Sequence, residues 1–255
     1  MTAATPPDLE TWRKTARQWL EEHAERRPAE RAGDRRWGEG SDSVAVFHNL
    51  SLDDEARILA ANAAWQQAKD DAGYAGIDWP PAWGGAGLPA AYARAFAEEE
   101  SAFVTPPGAE LFSVTVRLVA PTVATFGTPA QQVRLLRRLR RAEVFACQLF
   151  SEPGAGSDLA GLACRAVRDG DGWVVNGQKV WTSGAPHAAF GELIARTDPD
   201  VPRHQGLTAF IVPLDSPGVE IRPIRQMTGG SSFSEVFFTD VRLADDLRLG
   251  PVGDG

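Results

Sequence analysis

The spacing of apolar residues changes near residue 145, and that change constrains the fold more than any other feature of the chain. Before it, apolar residues return every three or four positions. Leu9, Trp12, Ala16, Trp19 and Leu20 form one such set, and Ile58, Ala61, Trp65 and Ala68 another. After it come short apolar runs over 144–150, 190–196, 207–213, 218–224 and 233–242, separated by Gly, Pro and Asp turns. Helices followed by a block of strands, without strand–helix alternation, predict an α+β chain with segregated parts.

Punctuation sharpens the picture. Thr5-Pro6-Pro7 offers a cap and a proline opening for the first helix, and residues 27–48 lack periodicity and read as a loop. Ser51 with Asp54 forms a capping box for a helix that stops at Gly73. Ile77 to Pro89 is too rich in Gly and Pro for regular structure. Helical spacing resumes over 90–103 and 111–126, the second bent at Pro121, and Thr128-Pro129 opens a helix through Val133, Leu135, Leu136 and Leu139. In the strand block, Asp169-Gly170-Asp171-Gly172 and Asn176-Gly177 read as hairpin turns, the second joining 173–175 to 179–181.

Composition excludes several classes. With 43% hydrophobic and 24% charged residues the chain is not broadly disordered. No apolar run reaches the ~18–20 residues of a membrane span, and the polar, acidic start lacks the core of a secretory signal. Cys147 and Cys164 share no metal-ligand spacing with each other or with a histidine, so a reducing, cytoplasmic setting is expected. A net charge of −8 argues against a general binder of nucleic acid or anionic membrane.

Three motifs are near misses. Gly172 to Lys179 almost spells a phosphate-binding loop, but Gln178 stands where its lysine belongs and the segment reads as a hairpin. Arg134, Arg137, Arg138, Arg140 and Arg141 read as the solvated face of a helix whose other face carries Val133, Leu136 and Leu139. Glu98-Glu99-Glu100 reads as a solvated helix surface.

Two segments carry more information. Gln148-Leu-Phe-Ser-Glu-Pro-Gly-Ala-Gly-Ser-Asp-Leu-Ala-Gly161 runs from a strand end into a loop of glycines and hydroxyls. Backbone N–H groups freed by glycine form concavities for phosphate, so this is either an ordinary loop or a cofactor loop. In Lys179-Val-Trp-Thr-Ser-Gly184 an indole stands beside two hydroxyls. It either covers the core or stacks on a planar ring whose polar edge meets Thr182 and Ser183.

With these two segments the chain resembles the acyl-CoA dehydrogenase family of flavoproteins. Phe150-Ser-Glu-Pro-Gly-Ala-Gly-Ser-Asp158 looks like the family signature, and Lys179 to Gly184 like its second flavin-contact strand. Ala75 to Leu88, Phe126-Gly-Thr128 with Gln131, and Phe233 to Val241 are similar to further landmarks in the family's order. The resemblance implies an N-terminal all-helical domain over 1–143 and a β-barrel-like middle domain over 144–255. It implies FAD as cofactor, an acyl-CoA substrate and an electron-transfer flavoprotein as acceptor. Gln148, Phe150 and Ser151 would line the flavin ring, and Gly156 and Ser157 its phosphates. Trp181 would pack on the isoalloxazine, with Thr182 or Ser183 bonding near its reactive nitrogen. Gln148 stands where many members carry an aromatic residue, and Ser234 where the most similar members carry asparagine.

The resemblance also implies a third, helical domain after a glycine-rich junction like Gly250 to Gly255, carrying the catalytic glutamate and much of the oligomer interface. The expectation is therefore a chain without a catalytic base, completed by that domain or by a partner in a homo- or hetero-oligomer. Glu152 and Asp158 read as structural. An acyl-CoA oxidase and a non-catalytic flavin-binding or scaffolding subunit are the alternatives.

Overall fold

The computed structural model describes residues 7–28, 50–227 and 229–255. Thr5, Pro6 and most of the expected 27–48 loop lie outside them. The described residues form two compact units, one within 1–43 and 64–107, the other within 44–63 and 108–255. No described helix is long and apolar enough to cross a membrane.

The first unit is helical. Helix α1 (Leu9–His23) is capped by Asp8, whose Oδ1 accepts from the amides of Glu10 and Thr11. The cap is thus an aspartate three residues after the expected threonine, because its short carboxylate reaches two orphan donors of the first turn. Helix α2 (Leu52–Asp71) starts at the expected box, with Ser51 Oγ accepting from Asp54 N at 3.2 Å. Its end is the left-handed Gly73, φ +80°. Residues 64–71 of α2 belong to the first unit and 52–63 to the second. Helix α3 (Ala90–Glu100) presents Tyr92 and Phe96 to Leu20, Ile77 and Phe103.

The acidic run at the end of α3 is not merely solvated. Glu98 and Glu99 pair with Arg13, Glu99 also with Arg17, and Glu100 accepts from Trp65 Nε1 at 2.7 Å. Charge matched across elements, which spacing within one helix does not reveal, accounts for the difference.

The second unit packs helices against a sheet. Helix α4 (Glu110–Val114) widens into a π-helical stretch over Thr115–Val119 and continues as α5 (Ala120–Phe126). The bend expected at Pro121 takes this form because proline has no N–H and its ring crowds the preceding turn. Helix α6 (Pro129–Arg140) opens on Thr128, with a reciprocal box to Gln131. Its faces depart from expectation. Val133 is 86% exposed and Arg140 is buried, while Leu135, Leu136 and Leu139 reach the core. Gln131 is also buried, donating to the carbonyls of Asp246 and Arg248.

Among the described residues eight strands follow: β1 (Ala146–Leu149), β2 (Arg165–Asp169), β3 (Gly172–Ser183), β4 (Phe190–Arg196), β5 (Leu207–Pro213), β6 (Val219–Ile224), β7 (Phe233–Ala244) and β8 (Arg248–Leu249). The order is β6-β7-β3-β2-β4-β5-β8, with β1 parallel to β4. Among the described residues its two end strands do not pair, so the sheet is open and barrel-like only loosely. The fold class is α+β, as expected.

The Asp169–Gly172 turn is a two-residue hairpin loop. Asn176-Gly177 is not a turn. Strand β3 runs straight through it, with a register shift against β7 between Val175 and Gly177. Gly177 has φ +152°, and a Cβ there would lie 2.7 Å from Cys164, so glycine serves a bulge and a close approach. Asn176 exchanges two 3.0 Å hydrogen bonds with Asp240 across it.

Candidate functional site

The loop after β1 is held from within. Glu152 and Ala155 exchange backbone hydrogen bonds of 2.8 and 3.1 Å around Pro153-Gly154. The Glu152 carboxylate, 9% exposed, accepts from Ala163 N at 2.6 Å, Cys164 N at 2.9 Å and Lys179 Nζ at 2.8 Å. Lys179, wholly buried, also donates to the Phe150 carbonyl at 3.0 Å. Val180 N donates to Ser151 O at 2.9 Å. A charge pair with every close partner satisfied thus ties the loop to β3.

Two residues beyond Lys179 the strand changes character. A second register shift against β7 falls between Lys179 and Thr182, and Trp181 takes a left-handed backbone, φ +59°. A bulky residue rarely adopts that conformation, and such strain gathers at functional sites. The bulge turns the indole outward, 59% exposed, with its ring 6.1 Å from that of Phe233 and nearly perpendicular to it.

Gln148, Phe150, Ser151, Trp181 and Ser183 line one cavity of about 270 Å³. Phe233 and Glu110 line it too, and neither was singled out as a site residue in the sequence. Ser183 Oγ donates to Glu110 Oε1 at 2.9 Å. Three expected residues do not line this cavity. Thr182 is buried opposite Ser234 in the β3–β7 register, and neither hydroxyl has a partner among the described residues. Gly156 and Ser157 are exposed on the loop beyond the turn. A Cβ added to Gly154 or Gly156 would touch nothing, and neither has a positive φ. The chain's own packing therefore does not demand glycine there, which suits a ligand approaching the backbone.

Behind the cavity wall lies Glu192, 3% exposed, accepting from Gln148 Nε2 at 3.3 Å. Burial pushes its carboxyl above the usual range, and hydrogen bonds from Gln148 and Thr122 offset this only in part. Its position in an apolar strand hid it; the register Gln148↔Glu192 between β1 and β4 reveals it.

Aromatic side chains, hydroxyls and a carboxamide around the cavity, with an exposed glycine loop following Ser151, can hold a planar heterocycle with a phosphate tail. Residues 42–143 match the N-terminal domain, and 147–241 the middle domain, of acyl-CoA dehydrogenases. Acyl-CoA dehydrogenase IpdE1 of Mycobacterium tuberculosis is 47% identical over 79% of this chain and 52% of its own length. The human mitochondrial short-chain specific acyl-CoA dehydrogenase is 34% identical over 72% of this chain and 44% of its own. The ChsE4–ChsE5 complex of Mycobacterium tuberculosis matches in structure with a TM-score of 0.68 and 28% identity, over 100% of this chain and 59% of that one. The chain thus spans about half the length of these two curated relatives.

Proposed function

The chain belongs to the acyl-CoA dehydrogenase family, and from that premise we propose that it forms the flavin-facing part of an FAD-dependent acyl-CoA dehydrogenase. The proposed reaction removes a proton from Cα and a hydride from Cβ of an acyl-CoA thioester, and bound FAD supplies the hydride acceptor. One observation carries the reading: three aromatic rings, two hydroxyls and a carboxamide converge on one cavity, and the loop following Ser151 carries glycines that the fold does not need.

In this reading Trp181 stacks on the isoalloxazine and Phe150 excludes water from it. Ser151 and Ser183 hydrogen-bond the ring's polar edges, and Gln148 offers both a donor and an acceptor. Of the two hydroxyls considered for the reactive nitrogen, Ser183 is preferred because it lines the cavity and Thr182 does not. Gly156 and Ser157 receive the phosphate end through backbone N–H groups and a hydroxyl. The division into a helical part over 1–143 and a β part over 144–255 belongs to the same proposal.

The α-proton needs a carboxylate. Glu152 is engaged by Lys179 and two amides, Asp158 pairs with Arg203 on an exposed loop at 3.3 Å, and Glu110 at the cavity is engaged by Ser183. The proposal assigns the base to a carboxylate outside these 255 residues, in a further domain or a partner chain. The two-chain ChsE4–ChsE5 complex supports a hetero-oligomer, and an electron-transfer flavoprotein is the proposed acceptor. The unpaired buried thiols of Cys147 and Cys164 support a cytoplasmic setting.

Flavin titration tests the reading. The chain should bind FAD, and Trp181→Ala, Ser183→Ala and Ser157→Ala should each weaken binding about tenfold, or ~1.4 kcal/mol, with circular dichroism unchanged. A wild-type chain without affinity for FAD, or three variants with unaltered affinity, would refute it.

A further inference from the structure

A second cavity, of about 60 Å³, adjoins the first. Glu110 and Ser183 line both, so their hydrogen bond forms the partition. Beyond it the wall is largely apolar, with Ile58 and Leu59 of α2 and Leu111 of α4. Against that wall three polar side chains from separate elements meet. Ser232 Oγ donates to Glu55 Oε1 at 3.1 Å, and His187 Nε2 lies 3.3 Å from Glu55 Oε2. The side chains of Glu55 and His187 are only 17% and 15% exposed.

Gathering a carboxylate, an imidazole and a hydroxyl against leucines carries a desolvation penalty, and a few convergent polar groups in an apolar pocket are what orient a ligand. The volume suits a small terminal group rather than a chain. We propose that this second cavity receives the distal end of the acyl group and selects thioesters that end in a neutral hydroxyl. The proposal rests on the acyl-CoA reading above. A hydroxyl donates to the Glu55 carboxylate, which Ser232 Oγ and His187 Nε2 flank and hold in place. A tail ending in a carboxylate meets the like charges of Glu55 and Glu110 and is rejected.

Calorimetric titration of the FAD-loaded 255-residue chain tests this. The ligands are hexanoyl-, octanoyl- and decanoyl-CoA with the ω-hydroxy and ω-carboxy counterpart of each. At the best length the ω-hydroxy thioester should bind about tenfold tighter than the plain one, and the ω-carboxy thioester should bind weakest. In Glu55→Gln and His187→Phe the preference for hydroxyl should shrink to about twofold or less. Ser232→Ala, a smaller change, repeats the test if either variant misfolds by circular dichroism. Equal affinity for plain and ω-hydroxy thioesters, or tightest binding of the ω-carboxy one, overturns the proposal and leaves the acyl-CoA reading standing. Binding of none of the nine removes the acyl-CoA reading and this proposal with it.

Discussion

Strand β3 holds two functional extremes within three residues. Lys179 is wholly buried, its ammonium shared between the Phe150 carbonyl and the Glu152 carboxylate. Trp181 is the reverse, a large apolar side chain left 59% exposed on a left-handed backbone. Elementary preference would bury the indole and expose the lysine. The inversion teaches that the strand is built around the loop it braces: charge is spent inside to fix the loop, and aromatic surface is left outside, where the proposed function places the flavin.

The largest effect should come from breaking the brace. Lys179→Met leaves the Glu152 carboxylate buried with only its two amide donors, and should lower stability by ~3–5 kcal/mol in urea unfolding. Adding Glu152→Gln should recover much of that loss, since the uncompensated charge is gone. A single-variant loss below ~1 kcal/mol would show the brace to be incidental.

Trp181 should behave oppositely. An exposed indole contributes little to the core, and glycine tolerates the left-handed backbone. Trp181→Gly should therefore leave stability unchanged or raise it by up to ~1 kcal/mol while weakening FAD binding. A large loss of stability in the same unfolding assay would mean that the indole is structural.

The smallest effect is one of pH. Burial raises the Glu192 carboxyl, so the folded state favours its neutral form. Its contribution is fully present below the ordinary glutamate value of 4.5 and is lost as pH rises through the higher folded value. Glu192→Gln removes that loss while keeping a side chain able to meet Gln148. Relative to wild type, the variant's melting temperature should therefore improve from pH 4 to pH 7, and a difference independent of pH would contradict the burial argument.

Much of this was legible in the chain alone, for identifiable reasons. Local rules sufficed for the Ser51 box, the Thr128-Pro129 opening and the Gly170-Asp171 hairpin, because each depends on neighbours within four residues. The same rules misread Asn176-Gly177, where the glycine answers to Cys164 on another strand. Val133 and Arg140 exchanged their expected environments for the same reason: what packs on a helix face is chosen by distant elements.

The sequence by itself determined the class of the fold and the two segments that carry the candidate site, since spacing and turn chemistry are local properties. Only the tertiary structure decided which of those side chains meet. Val180 N donates to Ser151 O, which ties the loop to β3 and brings Gln148, Phe150 and Ser151 to Trp181 and Ser183, while Thr182 is buried opposite Ser234. It alone brought Glu110, Glu55 and His187 to the adjoining cavity, because long-range packing joins residues that no spacing rule connects.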